Sequence, residues 1–244
     1  MTRRTGDKVE INGDYQYNAY YTGKAAQRFW HYAKLKEAED ALDIKSGDNI
    51  LDVGCGSGLF SHFLAEHEGT HVTAIDANHK AIEFAKNKYS NSNIEFKLGL
   101  LDELNLKKTS YDKIAFLEVI EHISLEQGSQ IMKEFSELLK PGGMVVISTP
   151  NRKSLWPLIE WALDFFKLVP NLTEEQHEYL YAGNELKHIG EKAGLALHKK
   201  HTINAIAPWL AMFSWNLALR MHRIEMKYFK KRGSILLYTF VKPK

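Results

Sequence analysis

Leu51-Asp52-Val53-Gly54-Cys55-Gly56-Ser57-Gly58 lies between an apolar run, Asn49 to Val53, and a stretch of helical period, Leu59 to Glu66. A short apolar run that ends in glycines reads as a buried parallel strand. Glycines at the following turn let the chain bend tightly and bring bare backbone against a ligand, where any Cβ would collide. Asp76 follows Gly54 by 22 residues and closes a second strand, His71 to Asp76. In a doubly wound sheet this puts its carboxylate beside the ribose of a nucleotide at the first crossover.

The pattern continues outward. Helical segments at Lys80 to Tyr89 and Leu125 to Leu139 alternate with strands at Ile94 to Leu98, Tyr111 to Leu117 and Met144 to Ser148, with Pro141-Gly142-Gly143 as a sharp stop. Before the loop, Phe29, Tyr32, Leu35, Ala38 and Leu42 recur at helical spacing over Ala25 to Leu42. After the fifth strand, Asn184 to Ala193 reads as a helix, and Leu195 to Ile203 and Ser234 to Val241 read as two more strands. The expected fold is therefore α/β, a doubly wound, mostly parallel seven-stranded sheet covered on both faces. Residues 1–24 are expected to be a mobile N-terminal segment, and 25–244 a single domain with a helical lid inserted at about 152–183.

A glycine-rich turn has several possible ligands. The dinucleotide fingerprint requires a third glycine where this chain has Leu59, and no Gly-Lys-Ser/Thr ending marks a nucleoside triphosphate loop. A nucleoside without a pyrophosphate, such as S-adenosylmethionine, needs neither. Together with Tyr111-Asp112-Lys113-Ile114 and Leu139-Lys140-Pro141-Gly142-Gly143, in that order, the loop resembles the motifs of class I S-adenosylmethionine-dependent methyltransferases. Phe116-Leu117-Glu118-Val119-Ile120-Glu121-His122-Ile123 is similar to the corresponding segment of ubiquinone-pathway O-methyltransferases.

The resemblance implies a Rossmann-like methyltransferase fold with S-adenosylmethionine as cofactor. Gly54 and Gly56 would pass under its methionine part and Asp76 would hold its ribose, with Asp52, Cys55, Ala77, Leu101, Glu118 and Val119 as further cofactor-binding positions. Arg28 is the expected contact for its carboxylate. Leu100 stands where the family often carries an acid, which leaves the adenine contact to Asp102 or a backbone group. Methyl transfer most simply goes to oxygen of a small hydrophobic or phenolic acceptor. A phenol of pKa about 10 gains from a nearby base, and His122 and His177 are the candidates among eleven histidines. Glu118, Glu121 and His122 also form a potential divalent-cation set, but acids suit a helix start equally well, and no metal is assigned. Two competitors stand beside this reading. One is a non-catalytic module that binds S-adenosylmethionine or S-adenosylhomocysteine, and the other is a nicotinamide oxidoreductase, already weakened by Leu59.

Composition narrows the partners. Apolar residues make up 44% of the 244-residue chain, and 32 basic against 30 acidic side chains leave a formal charge of +2. Such balance lacks the electrostatic footprint of a nucleic-acid binder. Cys55 is the single cysteine, so no intramolecular disulfide can form. No signal-peptide core or membrane-length apolar run is present, and a cytoplasmic location is the default expectation. Leu155, Trp156, Trp161, Phe165 and Phe166 make the lid segment apolar beyond one helical face, which suggests an apolar acceptor. Ala207 to Tyr228 begins with Trp209, Phe213 and Trp215 and then gains Arg220, Arg223 and Lys227. That mixture suits a peripheral membrane contact, a homodimer contact or plain packing.

Overall fold

The computed structural model describes residues 12–151, 154, 179, 181, 183–229 and 232–244. Two helices, α1 (Tyr15–Tyr21) and α2 (Ala25–Leu42), lead into β1 (Asn49–Val53). There follow α3 (Leu59–Ala65), β2 (His71–Asp76), α4 (His79–Lys88), β3 (Ile94–Leu98), β4 (Tyr111–Leu117), α5 (Leu125–Leu138) and β5 (Leu139–Pro150). The remainder comprises α6 (Gly183–Lys192), β6 (Ala196–Ile203), α7 (Ala207–Leu210), α8 (Trp215–Tyr228) and β7 (Ile235–Val241). The seven strands form one sheet in the order β3-β2-β1-β4-β5-β7-β6. Only β7 runs antiparallel to its neighbours. The order reverses between β1 and β4, so a crevice opens beyond their carboxyl ends. The glycine loop follows β1 there, and Glu118 to His122 follow β4.

Two apolar layers cover the sheet. Phe116, Met132, Phe135, Leu186 and Tyr238 pack under α5 and α6 on one face. Leu35, Leu42, Leu59, Leu64, Ile82 and Phe96 pack under α2, α3 and α4 on the other. Side chains of the central strands alternate between these layers, as Leu51 and Ile50 do, so β1 is buried on both faces and reads as a continuous apolar run. A third cluster, with Phe29 and Ala33 against Ala207, Ala211 and Ala218, seats α7 and α8 on α2.

Within the N-terminal segment, Tyr15–Tyr21 is helical. Tyr17 packs on Phe84 and Tyr20 on Phe63, which ties α1 to α3 and α4. The stop expected at Pro141-Gly142-Gly143 is an irregularity inside a long strand. Leu139 already pairs with Tyr111, the register slips between Tyr111 and Lys113, and pairing resumes at Met144. Most of the expected lid at 152–183, with His177, lies outside the described residues.

A buried ionic cluster joins α2, β6 and α8. Glu37 Oε1 lies 2.9 Å from His222 Nε2, and Glu37 Oε2 lies 3.7 Å from His201 Nε2. Burial works against the Glu37 charge, but the two imidazoles, His222 in hydrogen-bond contact and His201 close by, outweigh it and bring its pKa down to about 2. A depressed carboxylate contributes stability that is complete above its ordinary value and lost as pH falls towards 2. Glu37→Gln should cost about 1–3 kcal/mol at neutral pH by leaving buried imidazoles poorly matched. Thermal melts should show a Tm lower by roughly 2–10 °C, with a shallower loss between about pH 5 and pH 3 than in the wild type. An unchanged acid profile would remove Glu37 from this role.

Candidate cofactor and active site

The loop after β1 has the geometry a ligand cradle needs. Gly54, Gly56 and Gly58 have φ of 74°, 52° and 74°, in the left-handed region that favours glycine. A Cβ on Gly54 would run into Val119 Cγ2, and one on Gly56 into the Gln16 carboxamide. The loop is held from below. Gly54 and Cys55 donate their N–H groups to Ile75 O at 2.8 and 3.0 Å, and Gly56 donates to Asp76 Oδ2 at 2.7 Å. Asp76 Oδ1 accepts from Asn78 N–H at 2.7 Å. Burial raises the Asp76 carboxyl above its usual range, while the N–H groups of Asn78 and Gly56 oppose the rise. Asn78 caps α4 by accepting from Lys80 and Ala81 N–H groups, which fixes the chain just after Asp76 and the exposed Ala77.

Asp52 sits beneath the same loop. It is fully enclosed and accepts the Ser61 hydroxyl at 2.6 Å. Burial pushes it up to about 7, Ser61 pulls the other way, and Asp76 adds to the rise. Cys55 is also buried, and burial lifts its thiol well above the ordinary value. It is therefore an inert wall, not a nucleophile.

A cavity beside the loop is lined by Gln16, His31, Lys34, Asp52, Gly54, Cys55 and Leu117, among others. Lys34 is the one lysine or arginine among these described lining residues. Its ammonium is buried, 4.5 Å from the Trp30 ring centroid. Burial lowers its pKa, against an opposing pull from Glu118 and Glu121. His31, beside it, is pushed well below its normal value by burial and by the Lys34 charge. Arg28 is the cation expected from the sequence in this neighbourhood. The structure instead turns Arg28 outwards, with Nε donating to Tyr20 O at 3.3 Å and its guanidinium 5.8 Å from the Trp215 ring. Residues six apart on a helix point about 120° away from each other, so α2 cannot present both to one cavity. Gln16 was missed as well. Its Oε1 accepts the Ser57 N–H at 3.3 Å, and nothing in a polar N-terminal stretch marks it out.

The other wall is the turn after β4. Glu118 has φ of 56°, an uncommon conformation for a residue with a side chain. Ser148 on β5 holds it there. Glu118 N–H donates to Ser148 Oγ at 3.1 Å, and that hydroxyl donates to Glu118 Oε1 at 2.6 Å. A 3₁₀ turn, Ile120–His122, follows. Glu121 is 1% exposed, and its Oε2 is a buried oxygen with no hydrogen-bond partner among the described residues. Burial and the Glu118 charge push its carboxyl well above normal, partly countered by Lys34. His122 is half-buried at the end of this turn. A capping box between Ser124 and Gln127 then starts α5, which anchors the turn from behind at a typical value of about 1 kcal/mol. The backbone N–H of Tyr179 donates to Glu121 O at 3.1 Å, so the chain returns past this turn.

Leu101 is buried in a 3₁₀ turn beyond β3 and packs into the core, while Asp102 is exposed. Among the described residues no group of three or more carboxylate, imidazole or thiol ligands converges on one point. A wider groove lined by Tyr17, His62, Lys88 and Tyr89 lies by the C-terminal end of α4 and includes none of the motif residues.

Bare backbone at two left-handed glycines, a carboxylate at the end of β2 and a buried cation opposite suit a nucleoside with an amino-acid tail. Comparison with known proteins decides the family. Residues 23–200 match the family described as "Methyltransferase domain". The chain belongs to the class I S-adenosylmethionine-dependent methyltransferases. Among curated relatives of this methyltransferase, a ubiquinone biosynthesis O-methyltransferase of Coxiella burnetii is 34% identical over 168 residues, covering 67% of this chain and 70% of that protein. A mitochondrial one from Schizosaccharomyces pombe is 35% identical over 144 residues, covering 56% and 51%. Solved structures share the fold. A putative sarcosine dimethylglycine methyltransferase from Galdieria sulphuraria superposes with a TM-score of 0.66 at 16% identity, over 96% of this chain and 99% of that one. An S-adenosylmethionine-dependent methyltransferase from Mesorhizobium loti gives 0.62 at 18%, over 86% and 97%. The cofactor of this methyltransferase is S-adenosylmethionine, and the residues around its glycine loop fit that molecule.

Proposed function

We propose that this methyltransferase acts on an oxygen atom of a small, largely apolar, phenol-like acceptor. One observation carries the reading. His122 sits half-buried in the 3₁₀ turn that follows β4, and Val119, just before that turn, abuts Gly54 of the glycine loop. The O-methyltransferase relatives lend support from outside the structure.

In this reading Gly54 and Gly56 bear the methionine portion of the cofactor, Asp76 accepts from the ribose hydroxyls, and Lys34 pairs with the methionine carboxylate. Lys34 replaces Arg28 in that part. Val119 and Glu118 close the side towards β4. Bound S-adenosylmethionine supplies an electrophilic methyl group on a sulfonium. The protein's task is then alignment, worth about 7–11 kcal/mol when the reacting atoms are held at attack distance. His122 takes the acceptor's proton as the oxygen becomes a nucleophile. Burial and the Glu118 charge raise the Glu121 carboxyl well above its usual range, and His122 is the base proposed for this turn. His177 remains a second acceptor-side candidate outside the described residues.

A labelled-methyl assay against phenolic and lipid extracts, with identification of the labelled product, tests the reaction. Transfer to an oxygen-bearing aromatic is expected. Label found on nitrogen or carbon would replace the acceptor class, and turnover of any kind excludes a purely binding module. His122→Ala should lower turnover about a hundredfold near neutral pH, within the usual range for a general base. The deficit should shrink as pH approaches the acceptor's own pKa of about 10. A deficit independent of pH would make His122 a packing residue.

A further inference from the structure

Among the described residues, exposed large apolar side chains are concentrated in one place. Seven of the eleven lie between Ile206 and Phe229. At the turn between α7 and α8, Phe213 is 82% exposed and Met212 52% exposed. Along α8, Leu217, Ile224 and Tyr228 face solvent at spacings of seven and four, on the same side as the exposed Arg220, Arg223 and Lys227. The segment 206–229 holds a single acid, Glu225, and that one is buried. In a chain of nearly balanced charge, this face is apolar and cationic with no carboxylate of its own.

These side chains are not the leftovers of loose packing, because the opposite side of the element is firmly engaged. Glu225 accepts backbone N–H groups from Ala205, Ile206 and Ala207, clamping the start of α7. His222 pairs with Glu37, and Trp215 packs edge-on against Phe29 at 5.0 Å. Phe213 and the cations of α8 are therefore carried outwards on a fixed support.

We propose that the α7–α8 face docks on a bilayer rich in anionic lipid. Phe213 and Met212 enter the acyl boundary, while Arg220, Arg223 and Lys227 meet the phosphates. Charge complementarity selects this occupant: an apolar strip edged only by cations suits an anionic interface, where each added cation strengthens binding several-fold. A second copy of the chain would set cations against cations. No described helix is long and apolar enough to cross a membrane, so the contact is peripheral. It does not depend on the acceptor, and its test uses none, so either reading can fail alone.

Vesicle co-sedimentation of the full chain decides it, with phosphatidylcholine alone compared with a phosphatidylcholine and phosphatidylglycerol mixture. Binding to the mixed vesicles, weakened by salt and slight on phosphatidylcholine, is expected. Arg220→Gln/Arg223→Gln/Lys227→Gln should lose about a hundredfold in partitioning, from about fivefold per cation. Phe213→Ser should lose about tenfold. Both variants should keep wild-type affinity for S-adenosylhomocysteine, since none of these residues lines the cofactor cavity. Absence of binding to anionic vesicles at low salt, or undiminished binding by the triple variant, overturns the proposal. So does a concentration-dependent dimer that Phe213→Ser dissolves, because the face would then belong to a second copy.

Discussion

Gly54→Ala is expected to weaken S-adenosylhomocysteine binding at least a hundredfold, equivalent to about 2.8 kcal/mol. Two effects combine. With φ at 74°, alanine is forced into the left-handed region, at a cost of about 1–2 kcal/mol. Its Cβ also drives into Val119 Cγ2, and a β-branched side chain has few rotamers to retreat to. Relief comes by pushing the loop and the Glu118–His122 turn apart, which spoils both walls of the site. The fold should survive with a Tm lower by about 2–8 °C, because the strain is local. Calorimetry with S-adenosylhomocysteine and a thermal melt read the two effects separately. Adding Val119→Ala removes the obstacle but not the positive φ, so only part of the affinity should return. Wild-type affinity in the single variant would mean that the ligand does not lie on this loop.

Lys34→Met should produce the second largest change, with the opposite relation to stability. Removing one partner of a buried charge pair typically costs about 2–5 kcal/mol, so cofactor affinity should fall about a hundredfold or more. The free protein should not suffer, and its Tm should hold or rise. A buried ammonium is costly to desolvate, and methionine fills similar space without that penalty. Glu121, already pushed towards its neutral form, can keep its proton when the neighbouring cation is gone. Because burial lowers the Lys34 pKa, wild-type affinity should decline in alkali sooner than an exposed lysine would allow. The methionine variant should lack that limb. Unaltered affinity in Lys34→Met would return the carboxylate contact to another residue. A large drop in Tm would make Lys34 a structural ion instead.

The glycine-rich turn after β1 and the alternation of strands and helices were legible, because a left-handed turn and an apolar strand pattern are each set within a few residues. A left-handed turn needs glycine wherever the rest of the chain goes. Arg28, the cation expected beside the loop, lies exposed and bonded to Tyr20 O, while Lys34 on the same helix is buried; the apolar spacing of α2 marks one face but not which of its cations is turned inwards. The clamp by Ser148 on Glu118 also escaped notice, since the two lie 30 residues apart and meet only when β4 and β5 pair.

The order of strands and turns along the chain was thus enough to specify a nucleoside-binding α/β sheet with a glycine cradle, since backbone geometry at such a turn is a local property. Which cation turns inwards, that Glu37 joins His201 and His222, and that Phe213 is left in solvent on a rigid support were decided by the tertiary structure alone. Those outcomes depend on how α2 and α8 are rotated against distant strands. That rotation is set by packing between residues far apart in sequence, and no local pattern encodes it.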